Sequence, residues 1–427
     1  MRARFIDFPK YSCIIGRIWL TLAKSLESVV FIEKAANFSL KLLIFKDFCK
    51  YNLLIIKCLT IEFYFLSSTK VIFIISSFFF YLASRDKKAI NTYSVIAILI
   101  PSVVAGFRDL SVGIDTELYY PIFKSISAQN SIWYVADAAN TEWFYLILGY
   151  IGKYVGGYPF FLFICQLLTI SFVYLFTFRL RKYVYLWLVM FLYFCYFYNF
   201  SLNIMRQFVG ISYIMYISIY LFSGKNKKYF CLSLFSLVFH TSAIIGSIFL
   251  YLIYELSRVG KNNKRILIPI YIALLAVLYF SFQNLGPILS LIQVGRFSEY
   301  IYYLSGDGSI SATDFVYRFL FVFILYLSIK YGILPSYINC FYGLLIITEM
   351  SLLLLGLYAH FTYRIALYLS IFHLIYLSML CKSNRFTFLS KYVCVCVVLL
   401  MGYVYWTYLQ VFVDNGTLPY AFMDYSV

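Results

Sequence analysis

Long apolar runs constrain this chain more than any other feature, because a fold must shelter each of them from water. The runs are approximately 64–83, 89–107, 158–178, 183–200, 203–222, 229–254, 266–285, 315–331, 337–357, 365–381 and 392–412. Each exceeds ordinary strand length, and none alternates as the strands of an outer-membrane barrel do. About 20 apolar residues in a helix cross the hydrocarbon core of a bilayer. The sequence therefore predicts an all-α polytopic membrane protein with about 10–12 transmembrane helices.

The charged residues support a membrane protein and argue against a nucleic-acid-binding protein. Only 12% of the residues are charged, too few to cover the surface of a soluble domain. The net charge of +17 could suggest nucleic acid, but the Lys and Arg residues lie in short clusters between apolar runs, as cytoplasmic loops carry them. The clusters are 85–88, 179–182, 224–228, 258–265 and 382–391. We expect the bilayer as a partner and no nucleic acid.

If these clusters are cytoplasmic, an even number of crossings separates each from the next. This parity places residues 108–157, 286–314 and the C-terminal tail outside. Residues 229–254 do not fit, because they lie between two basic clusters but are only one helix long. Either they form a re-entrant pair of short helices with His240 near the turn, or the following cluster breaks the positive-inside tendency. The re-entrant alternative is preferred.

The N-terminal region differs from the rest of the chain. Residues 1–62 are basic, are interrupted by charges and contain no clean span. They are interpreted as a basic extension that is interfacial, contains a weak extra span, or has no function. Residues 63–427 are expected to form a single multi-span membrane domain with external loops near 108–157 and 286–314.

Isolated arginines lie at the ends of spans on the predicted outer side, against the positive-inside tendency. They are Arg108, Arg206, Arg296 and Arg364. Convergent guanidinium groups bind phosphate oxygens by bidentate hydrogen bonds. Asn203 and Gln207, four residues apart, are expected one turn from each other on the same helix face beside Arg206. A loop ion pair for Arg108, or an Arg206 side chain extended toward the interface, is the alternative reading.

Possible general bases accompany these arginines, namely Asp109, Asp115, Glu142, Glu299 and His240. The ten cysteines follow no metal-binding or disulfide pattern, and their positions in apolar runs suit a small hydrophobic residue. We therefore predict neither a metal nor another cofactor.

At these residues the sequence resembles the EpsG-type family of membrane polysaccharide polymerases, which is similar in role to Wzy O-antigen polymerases. The resemblance covers roughly residues 64–420. It rests on Gly106-Phe107-Arg108, on Val112 to Thr116 with Tyr119, on Asn203 to Gln207, on Phe239 to Ala243, on Tyr363 to Ala366 with Tyr368, and on Leu418-Pro419-Tyr420. Two departures are the N-terminal extension and Ile114, where a small polar residue is expected.

The resemblance implies a GT-C-like polymerase architecture in the bacterial inner membrane. It implies transfer of a growing glycan, at the periplasmic face, between undecaprenyl-diphosphate-linked oligosaccharides for O-antigen or a related polysaccharide. Arg108, Arg206, Arg364 and Arg296 are then expected to bind diphosphate. Asp115, His240 and Asp109 are the catalytic candidates, and Asn203, Gln207, Tyr119, Tyr363 and Tyr420 the supporting ones. A flippase and a chain-length regulator of the same pathway are expected partners.

Two other functions fit the same residue types. A flippase for lipid-linked oligosaccharides also needs cations within the membrane, but it should place them centrally and accessible from both sides. An O-antigen ligase would use the same donor with a different acceptor. The clustering at one face beside a long external segment favours the polymerase. Residue types alone leave the base open between Asp115 and His240.

Overall fold

The apolar runs form α-helices wherever the structure, a computed structural model, describes them. It describes residues 69–86, 90–128, 142–258, 312–356, 361–412, 416–417 and 420–423, with isolated positions between 259 and 311. These residues belong to one unit of the chain, Phe65–Val427. Residues 1–62, Arg296 and most of the 286–314 segment lie outside the described residues, so the expectations for them stay predictions.

Helices account for nearly all of the described chain, as the fold-class prediction requires. In chain order they are α1 (Thr69–Arg85), α2 (Ile90–Gly106), α3 (Thr116–Ala128), α4 (Trp143–Val155), α5 (Gly157–Arg179), α6 (Leu186–Tyr196), α7 (Tyr198–Asn203), α8 (Met205–Phe222), α9 (Asn226–Phe235), α10 (Ala243–Arg258), α11 (Ala312–Lys330), α12 (Ser336–Leu355), α13 (Phe361–Ser370), α14 (His373–Lys382) and α15 (Phe388–Phe412).

Several helices have the length and composition needed to cross a membrane. Among the described residues, four such spans are Gly157–Arg179, Ser336–Leu355, Thr362–Lys382 and Phe388–Tyr408, and α1, α2 and α6 are shorter apolar helices. The last of the four spans exposes apolar side chains such as Leu400 and Val404. An apolar outer surface over an intrahelical hydrogen-bond ladder suits hydrocarbon as the solvent. The chain is an all-α polytopic membrane protein.

The interior of the protein is built around α5 and α8. Helix α5 packs against α2 on one side and α8 on the other, and α8 is buried on almost every face. Fully buried side chains here include Val173, Phe208 and Ile214. A helix that is apolar all round belongs at the centre of a bundle, so α8 and the residues at its first turn are held on all sides.

Two of the predicted apolar runs are each divided by a break in the helix, and neither break contains a glycine or a proline. The run 183–200 breaks at Phe197 between α6 and α7, and the run 365–381 breaks between Ser370 and His373. A further turn at Ile204 separates α7 from α8. The expectation that Asn203 and Gln207 flank Arg206 on one helix is therefore wrong, because Asn203 ends α7.

The segment containing His240 is a helical hairpin. At its base, Asn226 Nδ2 at the start of α9 donates to Glu255 Oε1 near the end of α10 at 3.0 Å. Higher up, the Tyr229 hydroxyl donates to the carbonyl oxygen of Ser247 at 2.9 Å. The two helices are antiparallel neighbours, and residues 236–242 form the tip. The pair of short helices that the re-entrant alternative predicts is the arrangement found, and it brings the start of α9 and the end of α10 to the same end of the hairpin.

Basic loops come together at one end of the bundle. Lys382 Nζ donates to the carbonyl oxygens of Arg181 and Val184 at 2.6 and 2.9 Å, and the Ser383 hydroxyl donates to the carbonyl oxygen of Ile333 at 2.8 Å. At the opposite end, which we call the outer end, lie the 107–115 loop and the C-terminal residues 416–417 and 420–423. The charge pattern assigned both of these segments to the outside.

The C-terminal residues are tied to the 107–115 loop through the backbone. Arg108 and Phe422 form an antiparallel bridge, the Asp109 amide donates to Ala421 at 2.9 Å, and the Gly113 amide donates to Gly416 at 2.7 Å. Gly113 has φ +97°, a conformation that strongly favours glycine. This pairing orients the loop that carries Asp115.

Candidate active site

Glu142 connects three separate parts of the chain at the outer end. It immediately precedes α4 with extended backbone, φ −70° and ψ 147°, and its side chain is 10% exposed. Its Oε2 lies 2.7 Å from Arg206 Nη1, and its Oε1 lies 3.1 Å from His240 Nδ1. The carboxylate therefore joins the start of α4, the first turn of α8 and the tip of the hairpin.

Arg206 is held among aromatic rings in the first turn of α8. Its guanidinium carbon lies 5.4 Å from the ring centre of Tyr119 and 5.9 Å from that of Tyr145. The Tyr145 hydroxyl donates to the carbonyl oxygen of Arg206 at 2.9 Å. A guanidinium at membrane depth is costly unless it is paired. Glu142 and the two ring faces supply that pairing.

Small residues allow the hairpin tip to approach the helices that carry the arginines. A Cβ at Gly210 would lie 3.4 Å from His240 Cβ and 3.3 Å from the Tyr368 hydroxyl. A Cβ at Gly246 would lie 2.4 Å from Tyr368 Cγ, well inside contact distance. The Tyr368 hydroxyl also lies 3.1 Å from Ser242 Oγ. These close approaches bring α8, α10 and α13 together beneath His240.

Arg364 enters the same region from the first turn of α13. Gln207 Nε2 donates to its carbonyl oxygen at 2.8 Å, which ties α13 to α8. Asp115 lies in the external loop within the fields of both arginines. Burial raises the pKa of Asp115, whereas the charges of Arg364 and Arg206 lower it, and the net effect is a pKa above the ordinary value. Asp115, Arg206 and Arg364 thus form one electrostatic group.

The charge state of Glu142 follows from its neighbours. Burial favours its neutral form, but the hydrogen bond from His240 and the charges of Arg206 and His240 lower the pKa of Glu142 to about 2. Glu142 is ionised at neutral pH. An ionised carboxylate favours a proton on the nearby Nδ1 of His240, which leaves Nε2 as the basic nitrogen. This is the arrangement that orients a histidine as a general base.

Arg108 is located differently from Arg206 and Arg364. It is 1% exposed, and its Nη2 donates to the carbonyl oxygen of Leu202 at 2.8 Å. Together with the backbone bridge to Phe422, this contact fastens the external loop to α7. The guanidinium serves a buried backbone carbonyl rather than an open surface.

Asp109 is held by its own loop. Its Oδ1 accepts hydrogen bonds from the amide of Ser111 at 3.0 Å and from the hydroxyl of Ser111 at 2.8 Å. The backbone and side-chain hydrogen bonds from Ser111 lower the pKa of Asp109. This local turn is a common role for aspartate. The structure shows no Asp109 contact with an arginine of the group around Glu142 among the described residues.

The supporting candidates divide among several roles. Tyr119 packs on Arg206, and Gln207 binds α13. Asn203 lies against Gly113, where a Cβ would stand 2.7 Å from Asn203 Oδ1. The Tyr420 hydroxyl donates to the carbonyl oxygen of Val104 at 2.6 Å, which anchors the C-terminal segment to α2. Tyr363 lines a small cavity together with Arg318, on another side of α13.

Some polar residues that were not site candidates in the sequence also come together in the structure. Arg318, Glu349 and His373 form a buried ionic group in α11, α12 and α14. Each interrupts a predicted apolar run, and an ionisable residue inside a span is a signal that could have identified them. Glu142 was one of five possible bases and not the preferred one, because a carboxylate in a polar loop is unremarkable in sequence.

The positive charge at the site comes from guanidinium groups. Within the described part of the chain, no group of three His, Cys, Asp or Glu side chains comes together as a metal site would require. Arg206 and Arg364 are the cations around Asp115. Together with the Glu142–His240 pair, they provide an oriented base beside two groups that can bind an anion.

Comparison with known proteins identifies a matching protein family. The model of the EpsG family matches residues 91–422, which is most of the chain and contains every site residue discussed above. No curated protein and no solved structure gives a significant match.

Proposed function

Because this chain belongs to the EpsG family, we propose that it is a polysaccharide polymerase of the bacterial inner membrane. It transfers a growing glycan from undecaprenyl diphosphate to the non-reducing sugar of a new lipid-linked repeat unit, at the periplasmic face. O-antigen or a related surface polysaccharide is the product. The observation that carries this proposal is the grouping of His240, Glu142, Arg206, Arg364 and Asp115 at the outer end of a membrane bundle.

In the proposed reaction, His240 Nε2 takes the proton of the acceptor hydroxyl. The acceptor oxygen then bonds to the anomeric carbon of the donor glycan, and the bond from that carbon to the diphosphate oxygen breaks. The lipid diphosphate leaves with the electron pair and gains negative charge. A diphosphate is a good leaving group, so cations that stabilise its charge contribute more than an acid that protonates it.

Arg206 and Arg364 are the residues proposed to stabilise the leaving diphosphate. A guanidinium has five N–H donors in a plane, so it can bind a carboxylate on one edge and a phosphate oxygen on another. The ion pair with Glu142 keeps Arg206 in one orientation before substrate arrives. Such preorganised charge needs no rearrangement during the reaction. Arg296 remains a further proposed contact.

His240 is proposed as the base in preference to Asp115. Glu142 orients the imidazole of His240 through Nδ1. Asp115 instead lies close to Arg206 and Arg364, so it is better suited to orienting these arginines or the acceptor sugar. Arg108 and Asp109 are proposed as structural residues of the external loop, since one binds a backbone carbonyl and the other closes a turn. A flippase and a chain-length regulator of the same pathway are proposed partners.

A complementation experiment separates this function from its rivals. A strain that lacks the gene should carry single repeat units on its lipopolysaccharide, and the wild-type chain should restore the ladder of polymer lengths. A variant with Arg206→Ala and Arg364→Ala should insert normally and yield only single units. A full ladder from that variant would contradict the diphosphate assignment.

The rival functions give different intermediates in the same strain. Loss of a ligase leaves finished polymer on the lipid carrier, with nothing on the lipopolysaccharide. Loss of a flippase leaves single lipid-linked units on the cytoplasmic leaflet. Analysis of the carrier-linked glycans therefore distinguishes the three activities, and either of these patterns would exclude the polymerase.

A further inference from the structure

A second polar group lies inside the bundle, away from Glu142. Glu349 of α12 is 0% exposed, and its Oε1 accepts hydrogen bonds from Arg318 Nε at 3.0 Å and Ser370 Oγ at 2.7 Å. Its Oε2 lies 2.6 Å from His373 Nε2, and His373 Nδ1 lies 2.7 Å from the Tyr342 hydroxyl. We call these five residues the Glu349 cluster.

The cluster occupies the membrane interior rather than an interface. Glu349 is thirteen residues beyond the start of α12 at Ser336, or about 20 Å along the helix axis. Ionisable groups at such depth are costly and usually functional. Stability does not explain the choice, because well-packed apolar residues often stabilise a protein as much as a buried ion pair does.

The chemistry of the cluster argues against a direct part in glycosyl transfer. Both ring nitrogens of His373 are engaged, one by Glu349 and the other by Tyr342, and the Phe321 ring stacks on the imidazole with centroids 4.0 Å apart. The histidine therefore has no nitrogen to offer to a substrate hydroxyl. Arg318 and His373 are both directed at the carboxylate.

The Glu349 cluster holds the C-terminal end of α13. Ser370 is the last residue of α13 and His373 the first of α14, so one carboxylate binds both sides of the break between them. Arg364 is six residues before Ser370 on the same helix, about 9 Å away along its axis. Gln207 ties the upper end of α13 to α8, and Glu349 ties the lower end to α11 and α12.

We infer that Glu349 is a positioning residue, which fixes α13 and thereby holds Arg364 in place beside Asp115 and Arg206. The inference rests on the proposed function for its effect on turnover. It does not rest on that function for its effect on the helix. A buried, fully bonded polar group selects one arrangement of the helices around it, and here the selected element carries an arginine of the candidate active site.

The sharpest test removes the link from α13, the Ser370 hydroxyl, which also lies 3.1 Å from the carbonyl oxygen of Ala366 in the same helix. Ser370→Ala deletes the hydroxyl that binds Glu349, and Ser370→Thr keeps a hydroxyl. Ser328→Ala is the matched control, because Ser328 is also fully buried and its Oγ also bonds across helices, to Asn339 Oδ1 at 2.9 Å. That contact joins α11 to α12 and does not involve α13.

Amide hydrogen exchange of residues 361–370, measured on the full chain in nanodiscs, reports the position of α13 without reference to activity. Ser370→Ala should accelerate this exchange on the order of tenfold, Ser370→Thr should restore it, and Ser328→Ala should leave it unchanged. Exchange in Ser370→Ala equal to that of the wild type would overturn the inference.

Turnover is then measured in proteoliposomes that contain lipid-linked repeat units. Ser370→Ala should lower kcat about tenfold with a smaller change in KM, and Ser370→Thr should recover it. A loss of kcat shared equally with Ser328→Ala would mean that the cluster only stabilises the protein. If wild-type chain shows no polymerisation, the proposed function fails, while the exchange measurement still decides the positioning role.

Discussion

The imidazole Nδ1 of His240 lies 3.1 Å from Oε1 of Glu142, although one residue belongs to the tip of the helical hairpin and the other immediately precedes α4. The contact places the hairpin tip beside the start of α4. It also gives His240 a fixed orientation, since its second nitrogen is the one directed away from the carboxylate.

The identity of the base can be decided by comparing two substitutions. His240→Gln keeps a polar side chain but removes the basic nitrogen, so the initial rate of polymerisation in proteoliposomes should fall by about 10²–10⁴. Asp115→Asn should have a smaller effect. Asp109→Asn is the control for a neutralised loop carboxylate, and it should retain most of the rate. If Asp115→Asn is the more damaging change, the base is Asp115.

Glu142 should make stability depend on pH in the acid range. Its pKa is lowered from 4.5 to about 2 in the folded protein, so protonation favours the unfolded chain. The stabilisation is complete above pH about 4.5 and is lost as pH falls toward 2, by about 3 kcal/mol. Thermal unfolding of the wild type minus that of Glu142→Gln isolates this dependence from other carboxylates. A difference that stays constant from pH 5 to 2.5 would contradict it.

Substitutions of Arg108 and Arg364, two arginines of the family resemblance, should affect different properties of the protein. Arg108→Ala removes a buried donor from the carbonyl oxygen of Leu202 and leaves that acceptor without this bond, so membrane abundance and unfolding temperature should fall. Arg364→Ala should lower polymerisation and leave abundance close to that of the wild type. Quantitative immunoblotting with a fluorescence unfolding assay measures both. Normal abundance with lost activity for Arg108→Ala would instead make it a substrate contact.

Sequence reasoning reached the membrane class and the conspicuous ionisable residues, since Arg206 and His240 stand out within apolar runs. It could not select Glu142, because the partner of a loop carboxylate depends on how the external segment folds back. The breaks at Phe197 and after Ser370 carry no glycine or proline. Packing and side-chain hydrogen bonds between helices determine where these helices break, and neither can be deduced from a single sequence.

The hairpin makes a topological prediction. A reporter domain fused after Arg258 should be located in the cytoplasm, since Asn226 and Glu255 lie side by side at the base of the hairpin. A fusion after Gly224 should report the same side. If 229–254 were a single span, the two fusions would report opposite sides, so periplasmic activity after Arg258 together with cytoplasmic activity after Gly224 would exclude the hairpin.

Gly246 is predicted to tolerate alanine poorly. A Cβ at this position would lie 2.4 Å from Tyr368 Cγ, in the middle of a ring rather than at the end of a flexible chain. Relief requires α10 to move away from α13, which would also displace the hairpin tip and His240. The expected cost of such overpacking is about 1–3 kcal/mol. Gly343→Ala is the matched control, because its Cβ would meet only Leu325 Cδ2 at 3.3 Å, which a rotamer change can accommodate. Unfolding temperatures of the two variants in detergent measure the difference, and an equal effect of both would show that the contact between Gly246 and Tyr368 does not limit the approach of these helices.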